Sequence, residues 1–375
     1  EVWAWSEEGG WASAFTNAEG NYTLNVAPGL WEVGFEIPIA DDGTEPPYLP
    51  EPPKRVRIKQ SGESKVLNFK ARDASASVSG VVLVDENVKN LYGIKHDKLI
   101  SIKPSEDIKS IETVLDICEK LLEFKFDKGN ELVVIGGGIT QDLGAYTAKT
   151  FKRGIKWTYI PTTLLSQCDS CIGGKTALNF KQYKNQLALF SAPNRVIIDS
   201  NYIKTLNRDD MISGMGEIVK LFLTGGSYYV DNFKSFSLQE KVFHSLAIKK
   251  AVIEKDEFEN LERKSLNYGH SFGHAIEAIT KYQIPHGEAV LLGIEIINKL
   301  FDNNPQITAM VEKLTSLRRV KNISAKDLVS VARTDKKVKN GVISLVVVPE
   351  AGVTKFVETP LDKNLEKRLH EVLVS

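Results

Sequence analysis

The sequence predicts a multidomain protein, with a β-sandwich-like module over residues 1–80 and an α/β segment beginning near residue 81. Three observations carry this. Residues 1–80 hold 7 Lys/Arg against 12 Asp/Glu and carry −5, whereas the rest of the 375-residue chain carries +5. Four of the five Trp (Trp3, Trp5, Trp11, Trp31) and seven of the fourteen Pro precede residue 81, while all six His and all three Cys follow it. The first segment also breaks into short aromatic and β-branched runs, where the second alternates apolar strands with helices. The net charge of zero conceals this split and argues against a general nucleic-acid or anionic-membrane binder. An apolar fraction of 42% excludes wholesale disorder. No run of about 20 apolar residues is present to span a bilayer.

In the first segment, residues 2–5, 11–16, 21–26 and 30–35 read as strands, separated by Gly9-Gly10, Asn17-Ala18-Glu19-Gly20 and Pro28-Gly29. Residues 41–53 are Pro- and acid-rich and read as a loop, and 55–58 and 65–69 alternate as later strands. The runs W-A-W, T-N-A-E-G-N-Y-T-L-N-V and A-P-G-L-W resemble carboxypeptidase-regulatory-like β-sandwich repeats, a module type often found at cell surfaces. The alternative is a generic sandwich with structural tryptophans, and neither reading assigns chemistry here. The chain begins at Glu1 without Met or a signal peptide, and its true N-terminus is expected to be missing.

From residue 81 the elements repeat as strand and helix. Val81–Val84 is a buried-type strand followed by Asp85-Glu86-Asn87, and 111–124 is apolar at helical spacing. Glu131–Ile135 runs into Gly136-Gly137-Gly138, and 142–153 reads as a helix. Lys156–Pro161 and Arg195–Asp199 are further strands. A strand, Gly-rich turn and helix lets backbone N–H groups approach a pyrophosphate, although three glycines also make an ordinary tight turn.

Two side-chain constellations stand out. In Asn267–Glu277, His270 and His274 share one helical face, and His286-Gly287-Glu288 follows. Imidazoles with a carboxylate suit a catalytic divalent metal. The zinc-peptidase pattern lacks its Glu, because Ser271, Phe272 and Gly273 fill the interval. Gly173-Gly174-Lys175-Thr176 and Lys184-Asn185 offer cations near a Gly-rich turn, suited to phosphate or carboxylate. Asp169 stands where a Walker loop needs its first Gly. Cys168 and Cys171 have C-x-x-C spacing, but with Cys118 as the third cysteine there is no second pair for a metal site.

Six ordered stretches together resemble one family: G-G-G-I-T-Q-D-L (136–143), R-G-I-K-W-T-Y-I-P-T-T-L-L-S-Q-C-D-S-C-I-G-G-K-T-A-L-N (153–179), S-G-M-G-E-I-V-K (213–220), L-N-Y-G-H-S-F-G-H-A-I-E (266–277), P-H-G-E-A-V (285–290) and D-K-K-V (335–338). The chain from about Val81 to Glu358 is similar to 3-dehydroquinate synthase and its sugar-phosphate cyclase relatives. That resemblance implies an α/β NAD-binding domain over 81–200 and a helical metal- and substrate-binding domain over 201–375. It implies Glu217, His270 and His286 as ligands of zinc or cobalt. NAD would lie against Gly136, Gly137, Gly138 and Asp142, with Asp85, Asn87, Glu106, Lys109, Thr162, Thr163 and Lys184. Substrate anions and catalysis would fall to Arg153, Lys175, Asn185, Lys249, Arg263, Asn267, His274 and Lys337, with Asp169 and Lys220 completing the pocket.

The implied reaction takes 3-deoxy-arabino-heptulosonate 7-phosphate to 3-dehydroquinate by oxidation, phosphate elimination, reduction and aldol closure, in a cytoplasmic homodimer of the shikimate pathway. Departures from the family pattern are Gln141 where Gly is common, Tyr183, Gln186 and Leu189 within 183–190, and the absence of the family's first strands upstream of Val81. They keep open a cyclase for sedoheptulose 7-phosphate or glucose 6-phosphate, or an inactive fusion whose β module serves binding. A metal-dependent alcohol dehydrogenase shares the two-domain architecture, but Gly-Gly-Lys-Thr and Lys-Asn point away from it.

Overall fold

A computed structural model describes residues 2–6, 10–17, 21–35, 48–49, 54–60, 63, 65, 67, 72–73, 80–181, 183–301, 304–316, 320, 322–333 and 338–374. The chain divides into two compact units, Glu1–Ser79 and Gly80–Ser375.

In the first unit, β1 (Val2–Ser6), β2 (Gly10–Ala14), β3 (Gly29–Phe35) and β5 (Lys54–Ile58) form an antiparallel sheet in the order β2-β1-β3-β5. The short β4 (Tyr48–Leu49) pairs with β6 (Arg72–Asp73). Period-2 alternation sends Val2, Ala4, Trp31, Val33 and Ile58 to one buried face. The expected strand over 21–26 does not form. Tyr22, Leu24 and Val26 do pack on that buried face, but no ladder pairs their backbone among the described residues. The expected sandwich is therefore reduced, in what is described, to small antiparallel sheets. The expected strand over 65–69 falls largely outside the described residues.

The second unit opens with β7 (Gly80–Asp85), α1 (Glu86–Tyr92), β8 (Leu99–Ile102), α2 (Ile111–Glu123), β9 (Glu131–Gly136), α3 (Gly138–Thr150) and β10 (Lys156–Pro161). A hairpin of β11 (Lys175–Phe180) and β12 (Tyr183–Phe190) precedes β13 (Arg195–Val196). Five strands make a parallel sheet in the order β13-β10-β9-β7-β8. Their near-continuous apolar runs reflect burial on both faces. Leu83, Leu132, Val134, Leu143 and Trp157 belong to one core. The helix after the glycines begins at Gly138 rather than 142 and ends at Thr150, because its first turn uses Gly137 as N-cap.

Helices then dominate: α4 (Arg208–Gly225), α5 (Ser227–Asp231), α6 (Leu238–Lys255), α7 (His270–Ile279), α8 (His286–Phe301), α9 (Pro305–Val311) and α10 (Ala325–Ala332). The helical expectation needs one correction, since β14 (Val342–Glu350) and β15 (Val353–Pro360) form an antiparallel hairpin before α11 (Lys363–Val374). Val346 to Val348 are buried consecutively, so β14 belongs to the same core as α8. The apolar run Ala289–Ile297 makes α8 buried along almost its whole length, the central helix against which α4 and α7 pack. No helix among the described residues is long and apolar enough to cross a membrane.

Candidate metal centre and anion pocket

The closest helix contacts lie beside the three expected ligands. A Cβ on Gly216 would sit 2.2 Å from the Gly287 carbonyl oxygen, and one on Gly287 would sit 2.0 Å from that of Ser213. Bare backbone at this α4–α8 crossing brings Glu217 against His286. Gly269, at φ +79°, turns the chain into α7 and delivers His270.

Glu217 is 1% exposed. His270 Nε2 lies 3.5 Å and His286 Nε2 3.3 Å from its Oε1, and Lys220 Nζ lies 2.5 Å from its Oε2. Candidate ligand atoms of these three residues lie within 4.8 Å of one another. His270 Nδ1 is 3.2 Å from the Tyr268 carbonyl, which can only accept, so that nitrogen carries the proton and the Nε2 lone pair faces Glu217. His286 Nδ1 is 3.2 Å from both Glu277 carboxylate oxygens, an arrangement that orients its ring.

The charge balance fits a cation. Burial works against an ionised Glu217, yet Lys220, His270 and His286 outweigh it and hold the carboxyl well below its usual range. Lys220 pairs with Oε2, which leaves Oε1 facing the two imidazoles. Burial pushes His270 well below its ordinary value. It also works against a charged His286, but bonds to Glu217 and Glu277 outweigh it and raise that imidazole to about 10. A buried carboxylate facing two imidazoles, one neutral and one holding a proton between acids, is a donor set that a divalent cation would complete, releasing that proton. His274, Glu277 and His286 form a second cluster within the same limit, but His274 is exposed. Glu277 was not singled out from sequence, although its position seven residues after His270 puts both on one helix face.

The expected anion pocket is assembled differently. Lys249 Nζ reaches the Asp169 carbonyl oxygen at 2.7 Å and its Oδ1 at 2.9 Å. Arg263 Nη2 donates to the Gly173 carbonyl at 3.0 Å. Asn267 Nδ2 donates to Glu259 Oε1 at 2.5 Å, and Lys175 pairs with the other oxygen of that carboxylate. Sequence reasoning missed Glu259, which no periodicity or spacing marks; its φ of 61° places it in the left-handed region.

Next to this lies the expected cofactor region. Gly137 caps α3 without a side-chain bond, and a Cβ on Gly138 would meet nothing within 4 Å, which leaves the helix N-terminus open to an anionic group. Asp85 instead caps α1 through the N–H groups of Asn87 and Val88, at 2.8 and 3.3 Å. Thr162 N–H donates to the Gly136 carbonyl, and the Thr163 methyl lies 2.9 Å from where a Gly137 Cβ would stand. Lys109 Nζ joins Asp142 (3.0 Å) to Asn185 (2.6 Å), with Glu106 at 3.8 Å. Lys184 Nζ lies 3.5 Å from Glu106 and 3.4 Å from the centre of the Tyr282 ring. Asn185 thus falls among the cofactor-side residues.

Two expected residues are not gathered here. Arg153 is exposed at the end of the segment after α3, just before β10 begins, so it sits at the opposite edge of the sheet from the Gly136–Gly138 turn. Lys337 lies outside the described residues. The C-x-x-C pair is also inert. Cys168 and Cys171 are free, buried thiols, and burial pushes Cys171 up to about 12.

Models of the 3-dehydroquinate synthase N-terminal and C-terminal regions match residues 99–213 and 214–338. The 3-dehydroquinate synthase of Clostridium acetobutylicum is 33% identical over 340 residues, covering 83% of this chain and 95% of its own. The chain belongs to the 3-dehydroquinate synthase family. That of Pelagibacter ubique is 37% identical over 295 residues, covering 71% of this chain and 80% of its own. The fold is shared with solved cyclases. One is 2-epi-5-epi-valiolone synthase from Streptomyces hygroscopicus subsp. jinggangensis with NAD+ and Zn2+ (TM-score 0.71, 21% identity, 80% of this chain and 92% of that one). Another is 2-deoxy-scyllo-inosose synthase with carbaglucose-6-phosphate, NAD+ and Co2+ (TM-score 0.68, 20% identity, 78% and 89%). Within this 3-dehydroquinate synthase fold, Gln141 is buried.

Proposed function

We propose that the protein is an NAD- and metal-dependent 3-dehydroquinate synthase, converting 3-deoxy-arabino-heptulosonate 7-phosphate to 3-dehydroquinate and phosphate. The observation that carries this is the donor set of Glu217, His270 and His286 in the same helical half as the cationic residues Lys249 and Arg263. When bound, NAD would accept and return a hydride, and zinc or cobalt would acidify a substrate hydroxyl.

The chain's own groups do the rest. Lys175, Lys249, Arg263, Asn267 and Lys337 hold the phosphate and carboxylate, and the phosphate leaves as a dianion beside these cations. Lys220 fixes the charge of Glu217 from 2.5 Å. His274, one helical turn from His270 and exposed, would move a proton at the substrate. Glu106, Lys109, Asp142, Lys184 and Asn185 frame the cofactor side, with Gly136–Gly138, Thr162 and Thr163 against the pyrophosphate and Asp85 and Asn87 beyond.

A homodimer and a cytoplasmic location accompany this reading, with 81–200 and 201–375 as the two catalytic domains. The resemblance of residues 1–80 to a β-sandwich repeat stands as a proposal for that segment alone. The test loads the full chain with NAD and zinc or cobalt and follows phosphate release from 3-deoxy-arabino-heptulosonate 7-phosphate. Absence of release from folded, loaded protein would sink it. Departures at Gln141, Tyr183, Gln186 and Leu189 favour a second reading, a cyclase for sedoheptulose 7-phosphate or glucose 6-phosphate. Turnover of the acid sugar alone in a substrate panel would eliminate it.

A further inference from the structure

Gln141 stands in the first turns of α3, immediately after the Gly136–Gly138 turn, and is 4% exposed. A side chain there is expected to bear on the cofactor turn. Its polar atoms go elsewhere. Nε2 donates to the Ser170 carbonyl oxygen at 2.7 Å, and Ser170 Oγ donates back to Oε1 at 2.6 Å. The carbonyl can only accept, so this reciprocal pair also fixes which way the amide points. Only the Gln141 main-chain N–H reaches the glycine turn, at the Gly137 carbonyl (2.9 Å), and any residue but Pro supplies that bond.

Ser170 ends a π-helical turn, Ser166–Ser170. The start of this turn is held by Thr163, which exchanges bonds with Ser166. Its middle is held by Gln167, donating to the Pro161 and Asp199 carbonyls at 3.0 and 2.7 Å. Gln141 holds its end. Asp169, the residue before Ser170, receives Lys249 Nζ through both its carbonyl and its carboxylate. A continuous path of short polar contacts therefore runs from α3 through Gln141, Ser170 and Asp169 to Lys249.

We propose that Gln141 is a positioning residue for Lys249, acting through the end of the Ser166–Ser170 turn and not through the cofactor turn on which it stands. This rests on the proposed function, in which Lys249 meets a substrate anion. Gln141→Leu keeps the bulk and leaves both Ser170 atoms without their partner. Two buried hydrogen bonds are lost, so kcat/KM for the acid sugar phosphate falls roughly tenfold, mainly through KM. The Kd for NAD, measured by calorimetry, stays within about twofold, because the backbone bond to Gly137 survives. Ser170→Ala removes one of the two bonds and gives a smaller loss in the same direction. The double variant falls no further than Gln141→Leu alone, since both changes act on one contact.

The proposal is overturned if the NAD Kd rises while KM holds, if the two losses add, or if Tm falls with kinetics unchanged. Wild-type protein without turnover would defeat the functional reading instead. Calorimetric binding of inorganic phosphate to wild type and Gln141→Leu then makes the same comparison, with weaker binding by the variant expected and equal binding contradicting the proposal.

Discussion

The candidate metal centre and the proposed anion pocket are finished in opposite ways. Glu217, His270 and His286 are set by helix backbones in contact, and their facing atoms, Glu217 Oε1 and the two Nε2 nitrogens, converge on one another. Lys175, Lys249 and Asn267 are long side chains whose charges and amides are already engaged by Glu259 and Asp169. In the first, a cation would meet ligands already converged by backbone and would displace the His286 proton. In the second, an incoming anion must displace carboxylates that now hold its place. A preformed donor set should therefore fail abruptly when altered, and a self-paired pocket should fail, or even gain affinity, by degrees.

The sharpest test of that contrast is Glu217→Gln. It removes the buried negative charge that draws the cation, so bound metal should be lost and turnover should fall on the order of 10³-fold. Metal content by elemental analysis alongside kinetics checks this, and a variant retaining stoichiometric metal would break the comparison. Gly287→Ala probes the backbone contact itself. A Cβ there would lie 2.0 Å from the Ser213 carbonyl oxygen, which is backbone and cannot move aside alone. Overpacking should cost about 1–3 kcal/mol, read as a lower Tm, with weakened metal binding. Unchanged metal affinity would mean that the α4–α8 crossing does not set the ligand geometry.

Glu259→Ala should act with the opposite sign. It frees Lys175 and Asn267 from their acid, so metal- and NAD-free protein should bind inorganic phosphate about threefold to tenfold more tightly. Weaker phosphate binding would show that Glu259 supports the pocket and does not compete for it. The smallest effect concerns the cysteines. Because burial raises the Cys171 thiol to about 12, its thiolate is scarce at neutral pH and increases only as pH approaches that value. Iodoacetamide should leave Cys168 and Cys171 of native protein unmodified from about pH 7 to 9, as mass spectrometry would report. Rapid labelling of either would contradict their enclosure.

Much of the second unit could be read directly from the chain. Near-continuous apolar runs at 81–84, 131–135 and 156–161, short and bounded by turn residues, fit strands covered on both faces, and these are neighbours in the parallel sheet. Helical spacing from His270 placed His274 one turn on, but the i,i+4 pattern could not say which imidazole meets Glu217. That choice belongs to the α4–α8 and α7–α8 crossings. Alternation over 21–26 marked which side chains pack on the sheet, partly buried, without showing that the backbone would go unpaired, because ladder pairing depends on a second segment. The C-terminal hairpin carries an apolar run of the same kind, Leu345 to Val348, which the helical expectation for 201–375 passed over.

What the sequence determined alone is therefore local or repetitive: the compositional break near residue 80, the βα rhythm, the glycine turn and the order of the family motifs. Only the tertiary structure decided which charges meet. It set Glu217 against two imidazoles, turned Gln141 away from the cofactor turn toward Ser170, and left Arg153 at the far edge of the sheet. Pairing energies depend on distances between residues far apart in the chain, and those distances are fixed by close backbone crossings that neither periodicity nor composition encodes.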